Sequence, residues 1–236
     1  MLLEVIVQNA KEAVEAEKLG AGRLELVSAI NEGGLTPSYG TIKRVLESVS
    51  IPVQVMIRPH SQNFFYDESE LETILEDVRN VLNLGCYGIV FGSLNKDSTV
   101  DEKTLEKIIQ LSDNLDITFH RAFDEIDQQL RAYRVLNNYN NQVKRILTSG
   151  GSDNCLEGIE DLKNLVQFSR ELEGPSILCG GGLNPENIKE IHQVVSSNEY
   201  HFGRGVRKNQ SFAHGFKKEA FERIIELRRN DHENSI

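Results

Sequence analysis

Eight short β-rich segments recur along the chain, each followed by a helical stretch, and this recurrence restricts the fold more than any other feature. The segments are Leu2–Val7, Arg23–Leu26, Val53–Arg58, Gly88–Gly92, Asp116–Phe119, Lys144–Leu147, Ser176–Cys179 and Tyr200–Phe202. They are rich in Val, Ile, Leu and Phe, as strands buried on both faces of a parallel sheet are. Their starts lie 21 to 35 residues apart, room for one strand, one helix and two short loops. Eight such units without a break in composition predict a single α/β domain, a closed (β/α)8 barrel. A G-x-G-x-x-G turn after the first strand, the mark of an open dinucleotide-binding sheet, is missing.

The intervening stretches carry helical periodicity. Ala10, Ala13, Val14 and Leu19 form one apolar stripe, Ile74, Leu75, Val78, Val81 and Leu82 a second, and Leu105, Ile108 and Ile109 a third. Gly20, Gly85 and Gly174 are expected to close helices in the left-handed conformation. Pro37 behind Thr36, and Pro185 behind Asn184, are expected just inside helix starts, with Thr36 and Ser38 readable as caps or as ligand contacts. The barrel is expected over residues 1–227, with a final helix after about Lys217 and a polar tail over 228–236.

Charge narrows the function classes. Acidic residues outnumber basic ones 36 to 26, a net charge of -10, and the basic residues are scattered. Nucleic acid, whose phosphates must be neutralised, and an anionic membrane surface are therefore not expected as partners. No apolar run reaches the length of a membrane span, and the start lacks the pattern of a signal peptide. Cys86, Cys155 and Cys179 stand far apart with no CxxC pair. They read as reduced thiols of a cytoplasmic chain.

In a barrel of this kind chemistry sits at the C-terminal ends of the strands. Glu4 lies in the first strand and Glu25 in the second, Arg58 ends the third, and His120 and Arg121 end the fifth with Asp124 a turn on. Thr148 and Ser149 end the sixth, Gly180, Gly181 and Gly182 follow the seventh, and His201 lies in the eighth. Charges inside an apolar barrel are costly unless paired, so two readings stand side by side. One is a buried ion-pair network that fixes register. The other is a pocket for a small anionic ligand, with Glu4, Arg58, Arg121, Ser149, Gly181, Gly182 and His201 binding it. There Glu25 and His120 act as base and acid, and Asp124 orients a partner. A glycine run after the seventh strand can form an anion nest or simply a tight turn, and Arg204 and Arg207 can add charge. The run His60–Tyr66, with three adjacent aromatics, reads as a lid or as packing against the next helix.

Several of these segments together resemble the CutC family. They are Gly22–Leu26, Gly33–Ser38, Val55–Pro59, Thr118–Asp124, Ile146–Gly151 and Gly180–Gly182, in order and at natural spacing from the first strand towards the last. The resemblance implies a cytosolic TIM-type barrel assigned to copper homeostasis, with copper as the metal ion it would bind or handle. The alternative function is an enzyme (lyase, isomerase or hydrolase) on a small anionic metabolite. Members of the family often carry cysteines at positions held here by Ile6 and Val27. Cu(I) prefers thiolate and thioether ligands, so Cys155 and Cys179 become the substitute metal candidates. The chain is compatible with a homo-oligomer.

Overall fold

The structure, a computed structural model, describes residues 1–233, with side chains to Leu227. Eight strands, β1 Leu2–Val7, β2 Arg23–Leu26, β3 Val53–Met56, β4 Gly88–Phe91, β5 Asp116–Phe119, β6 Val143–Thr148, β7 Ser176–Gly180 and β8 Glu199–Phe202, pair in parallel in chain order. β8 returns to β1, so the sheet closes into a (β/α)8 barrel. Among the described residues eight α-helices follow the strands: α1 Ala10–Leu19, α2 Tyr39–Leu46, α3 Glu68–Asn83, α4 Glu102–Ile109, α5 Gln129–Asn137, α6 Ile159–Glu171, α7 Ile188–Val195 and α8 Lys218–Glu233. Helix α8 takes in most of the stretch expected as a tail, while residues 234–236 lie outside the described residues. Among the described residues, no helix is long and apolar enough to cross a membrane.

The helices start where local side chains hold their first N–H groups. Asn9, Ser38, Asp67 and Asp101 accept from the backbone of the first turn, and Asp67 with Glu70 closes a reciprocal capping box. Ser38 is thus a cap, and Pro37 lies before it rather than inside α2. Pro185 opens a turn leading into α7, whose Glu186 and Asn187 N–H groups donate to Asn184 Oδ1. Gly20 and Gly85 take the left-handed conformation expected of them, but Gly174 does not; Glu173 takes it at φ 49°. Gly174 is instead demanded by packing, since a Cβ there would lie 2.2 Å from Asn137 Oδ1.

The pleat sorts the strand residues into two cores. Leu3, Val5, Val7, Leu24, Leu26, Val55, Ile89, Phe91, Ile117, Phe119, Ile146, Ile177 and Phe202 join the helix stripes in one continuous apolar cluster. The large methyl groups of α3 (Ile74, Val78, Val81) and α4 (Leu105, Ile108) lie in it, as their periodicity requires. Ile6, Val27, Met56 and Val90 form a separate small cluster with Ile30 and Phe212.

Below that small cluster the barrel interior is ionic. The Arg23 guanidinium donates to both Glu4 and Glu199. Arg145 donates to Asp116 (2.6 Å) and Thr118 (3.0 Å) and lies 3.5 Å from Glu199. These groups come from β1, β2, β5, β6 and β8 and tie five strands across the lumen. Arg23 opens β2 as expected, and Glu199 enters because β8 starts one residue earlier than its apolar pattern suggests, with Glu199 paired to Leu2 and Leu178. Glu4 is fully buried and Arg23 nearly so. Removing one partner of such a pair leaves an uncompensated buried charge, so Glu4→Gln is expected to cost about 3–5 kcal/mol. Urea unfolding with an unchanged denaturant slope checks this; a loss below about 1 kcal/mol, the scale of an exposed pair, would show that the network is not a stabilising element.

Candidate active site

A cavity of about 260 Å³ opens at the C-terminal ends of the strands. Ile6, Met56, Leu147 and Phe212 form its apolar wall, and Glu25, Arg58, His120, Arg121, His201, Gly181 and Gly182 line the rest. Of the ten residues expected to form the site, seven line this cavity; Glu4, Asp124 and Ser149 do not.

His120 follows β5 and is 4% exposed. The Ala122 N–H donates to its Nδ1 (3.2 Å). A backbone N–H can only donate, so Nδ1 carries the lone pair and the neutral ring carries its proton on Nε2. That Nε2 has no partner. Burial and the neighbouring Arg58 charge push the imidazole down to about 3, so it stays neutral. Gly92, at the end of β4, makes room for it: a Cβ there would lie 2.6 Å from Nδ1. Phe64 closes the other face, with ring centroids 4.8 Å apart, and the Arg58 guanidinium stacks on Phe64 at 4.6 Å. The aromatic loop is therefore packing in part: Phe64 and Tyr66 turn inward, Tyr66 against Phe91, while Phe65 remains exposed. Arg58 is buried, reaches the Ser61 carbonyl (3.3 Å), and leaves its Nε unpartnered.

Two buried carboxylates sit beside His201 and have opposite fates. His201 Nδ1–H donates to Glu4 Oε1 at 2.8 Å, and its Nε2 lies 3.7 Å from Glu25 Oε2. Burial alone would raise the Glu4 carboxyl, but Arg23 and His201 outweigh it and bring it to about 2. Glu25 lacks such a partner. Burial, opposed by His201 and Arg23 but assisted by the Glu4 charge, lifts it to about 7. Its Oε1 accepts no hydrogen bond. His201 is raised: burial works against the charged ring, and Glu25 and Glu4 more than offset it.

Asp124 is a hub under the rim. It accepts from Thr148 Oγ1, from the Ser149 and Gly151 N–H groups, from Ser149 Oγ (3.1 Å), and from Arg121 Nε (2.7 Å). Ser149 also accepts from Arg121 Nη2 at 2.7 Å. Both residues thereby aim Arg121, whose Nη1 lies 3.6 Å from where a Gly181 Cβ would stand. Gly181 (φ 125°) and Gly182 (φ 70°) keep left-handed conformations beside it. Arg204 lines the cavity, but Arg207 does not: it is fully buried between Phe212 and Phe216 and donates to Glu12 and the Ile6 carbonyl. Phe212 is a site residue that sequence reasoning missed, as no periodic pattern marks it.

The thiols lie elsewhere. Cys86, Cys155 and Cys179 are free and buried, and none lines the cavity. Burial raises Cys155, and it lifts Cys179 to about 12, so both remain protonated thiols rather than metal-binding thiolates. Among the described residues one trio, Glu4, Glu25 and His201, brings donor atoms within 4.8 Å of one another. These are oxygen and nitrogen donors, and Arg23 already supplies positive charge to Glu4. The residues present therefore do not fit a Cu(I) site.

The model of the CutC family matches residues 1–206. A Dictyostelium discoideum protein named copper homeostasis protein cutC homolog is 38% identical over 224 residues, covering 84% of this chain and 80% of that protein. The crystal structure of CutC from Streptococcus agalactiae superposes with a TM-score of 0.79 at 31% identity, covering 86% of this chain and 98% of the other. A phosphoribosyl anthranilate isomerase from Thermococcus kodakaraensis shares the fold at TM-score 0.63 and 17% identity, over 97% and 99% of the two chains.

The environment of Glu25 sets a measurable titration. Its carboxyl binds a proton more tightly in the folded than in the unfolded chain, so its contribution to stability is present below the ordinary carboxyl range and lost as pH rises through about 7. Carboxyl NMR of the labelled protein is expected to show one glutamate with a midpoint near 7, absent in Glu25→Gln. That variant is also expected to gain stability over wild type as pH rises. Titration of every glutamate below pH 5 would refute the assignment.

Proposed function

The chain belongs to the CutC family, and from that premise we propose that it serves copper homeostasis through acid–base chemistry on a small anionic metabolite bound at the barrel mouth. The names of its curated relatives support the physiological role. The chemistry rests on one observation. Three buried side chains with unused polar atoms, Glu25 Oε1, Arg58 Nε and His120 Nε2, line a single cavity. Buried polar atoms are normally satisfied within the protein, and three unsatisfied ones on side chains that line one concavity mark a place where a ligand completes them as those side chains turn to it. Arg58 and Arg121 supply guanidinium groups for an anion. Glu25 is the base and His120 the neutral donor of a lyase, isomerase or hydrolase, and Asp124 positions Arg121. A cytoplasmic location belongs to this reading, and the three free thiols support it.

Direct copper handling is the second reading, and the Glu4, Glu25 and His201 trio is the observation in its favour. Those donors suit Cu(II) or Zn(II) better than Cu(I). Titration with Cu(I) against a competing chelator is expected to show no site tighter than the micromolar range; a nanomolar site would reverse the order of the two readings.

Inorganic phosphate and sulfate are expected to raise the melting temperature of the wild-type protein. Arg58→Ala is expected to weaken that binding about tenfold or more, the loss of one charge-assisted hydrogen bond. Equal affinity in variant and wild type would remove Arg58 from the anion site.

A further inference from the structure

We propose that the mouth cavity transfers a proton between adjacent carbons of a short α-hydroxycarbonyl anion, with Glu25 carrying the proton and His120 donating from Nε2 to the carbonyl oxygen. The proposal rests on the anion reading above and names its substrate class.

The inventory of the cavity wall restricts the chemistry. Among the described residues Glu25 is its one carboxylate, and no Ser, Thr, Cys, Lys or Tyr side chain lines it. Acyl transfer to a hydroxyl or thiol and Schiff-base formation on a lysine thus have no nucleophile here. What remains is one carboxylate, the uncharged imidazole of His120, the imidazole of His201 beside Glu25, and guanidinium groups. That set is sufficient for enolisation, in which a carbon-bound proton leaves while negative charge develops on the neighbouring oxygen.

Each group is held for that task. The Ala122 N–H fixes His120 as an Nε2–H donor, and Phe64 and Gly92 fix the plane of its ring. A neutral imidazole donor opposite a carboxylate base is a known solution for polarising a carbonyl without surrendering a proton prematurely. Glu4 cannot compete as base, because Arg23 and His201 occupy its oxygens. The apolar wall of Ile6, Met56, Leu147 and Phe212 covers the carbon skeleton, and about 260 Å³ suits a short one.

The step balances without a further reactant. The Glu25 carboxylate takes the proton from the hydroxyl-bearing carbon, and the C–H electron pair forms the C–C double bond of an enediolate. The former carbonyl oxygen takes the negative charge and is held by His120 Nε2–H and Arg58. Glu25 then returns the proton to the adjacent carbon, while the hydroxyl proton passes to the first oxygen by way of His120. Aldehyde and ketone exchange places.

Dihydroxyacetone phosphate and hydroxypyruvate, one carrying phosphate and the other carboxylate, are the probes. In D2O, proton NMR is expected to show the wild-type protein exchanging the hydroxymethyl protons of at least one probe about 100-fold or more faster than buffer, the scale of a positioned base. The probe that responds identifies the anion. Glu25→Gln is expected to remove that acceleration while calorimetry shows the probe still bound, and Glu25→Asp, which keeps a carboxylate, to retain part of it. Unchanged exchange in Glu25→Gln overturns the base assignment. No exchange of either probe by wild type overturns the proposal. In that event Arg58-dependent binding of phosphate or sulfate leaves the anion reading standing, and its absence removes both.

Discussion

The ionic lattice in the lower lumen, centred on the contact of Arg23 with Glu4, is the interaction on which the rest of this molecule depends. Barrels of this class usually fill the lumen with layers of branched apolar side chains. Here Arg23 and Arg145 face Glu4, Glu199 and Asp116 across five strands. Two positive charges against three negative leave one carboxylate in excess, and His201, joined to Glu4 and with its proton affinity raised by Glu25 and Glu4, offsets that excess. Glu4, Arg23 and Arg145 are buried, and charges so placed tolerate only matched partners. The lattice therefore specifies strand register as firmly as any apolar layer could.

That balance explains why neighbouring carboxylates behave so differently. Once Glu4 has taken Arg23 and His201, Glu25 on the adjacent strand is left with half a partner, and its environment favours the protonated form. This divergence leaves Glu25, and not Glu4, as the carboxyl able to exchange a proton near neutral pH. The floor of the barrel is in this sense part of the electrostatics of the mouth, although none of its arginines reaches the cavity.

Much of this was legible in the chain. The eightfold rhythm marks the barrel, and the charged residues interrupting apolar strands mark the lumen. Alternation carries still more: Arg23 with Glu25, Asp116 with Thr118 and His120, and Arg145 with Leu147 and Ser149 each repeat at the two-residue period of one strand face. Glu199 escapes an apolar strand pattern because it is itself charged, although it is a ladder residue. That Asp124 orients a partner is readable from its place a turn past β5, but the partners on the next loop are not. A short turn after β5 swings its carboxylate onto the backbone of the next loop, a contact over 25 residues that no local pattern encodes. Arg207 misleads for a related reason, since its neighbours in space, Glu12 and the Ile6 carbonyl, stand at the other end of the sequence.

The missing side chain at Gly92 makes two distant positions answerable to each other. The imidazole of His120 lies over the end of β4 because nothing projects there, and only in that pose does its ring nitrogen meet the Ala122 amide. Alanine at position 92 would push the ring aside, release the tautomer, and leave histidine at position 120 free to carry its proton on either nitrogen. A lineage that loses this glycine gains little by keeping that histidine. The two positions should accordingly drift as a pair, a covariation set by the space for one methyl group rather than by attraction between the residues.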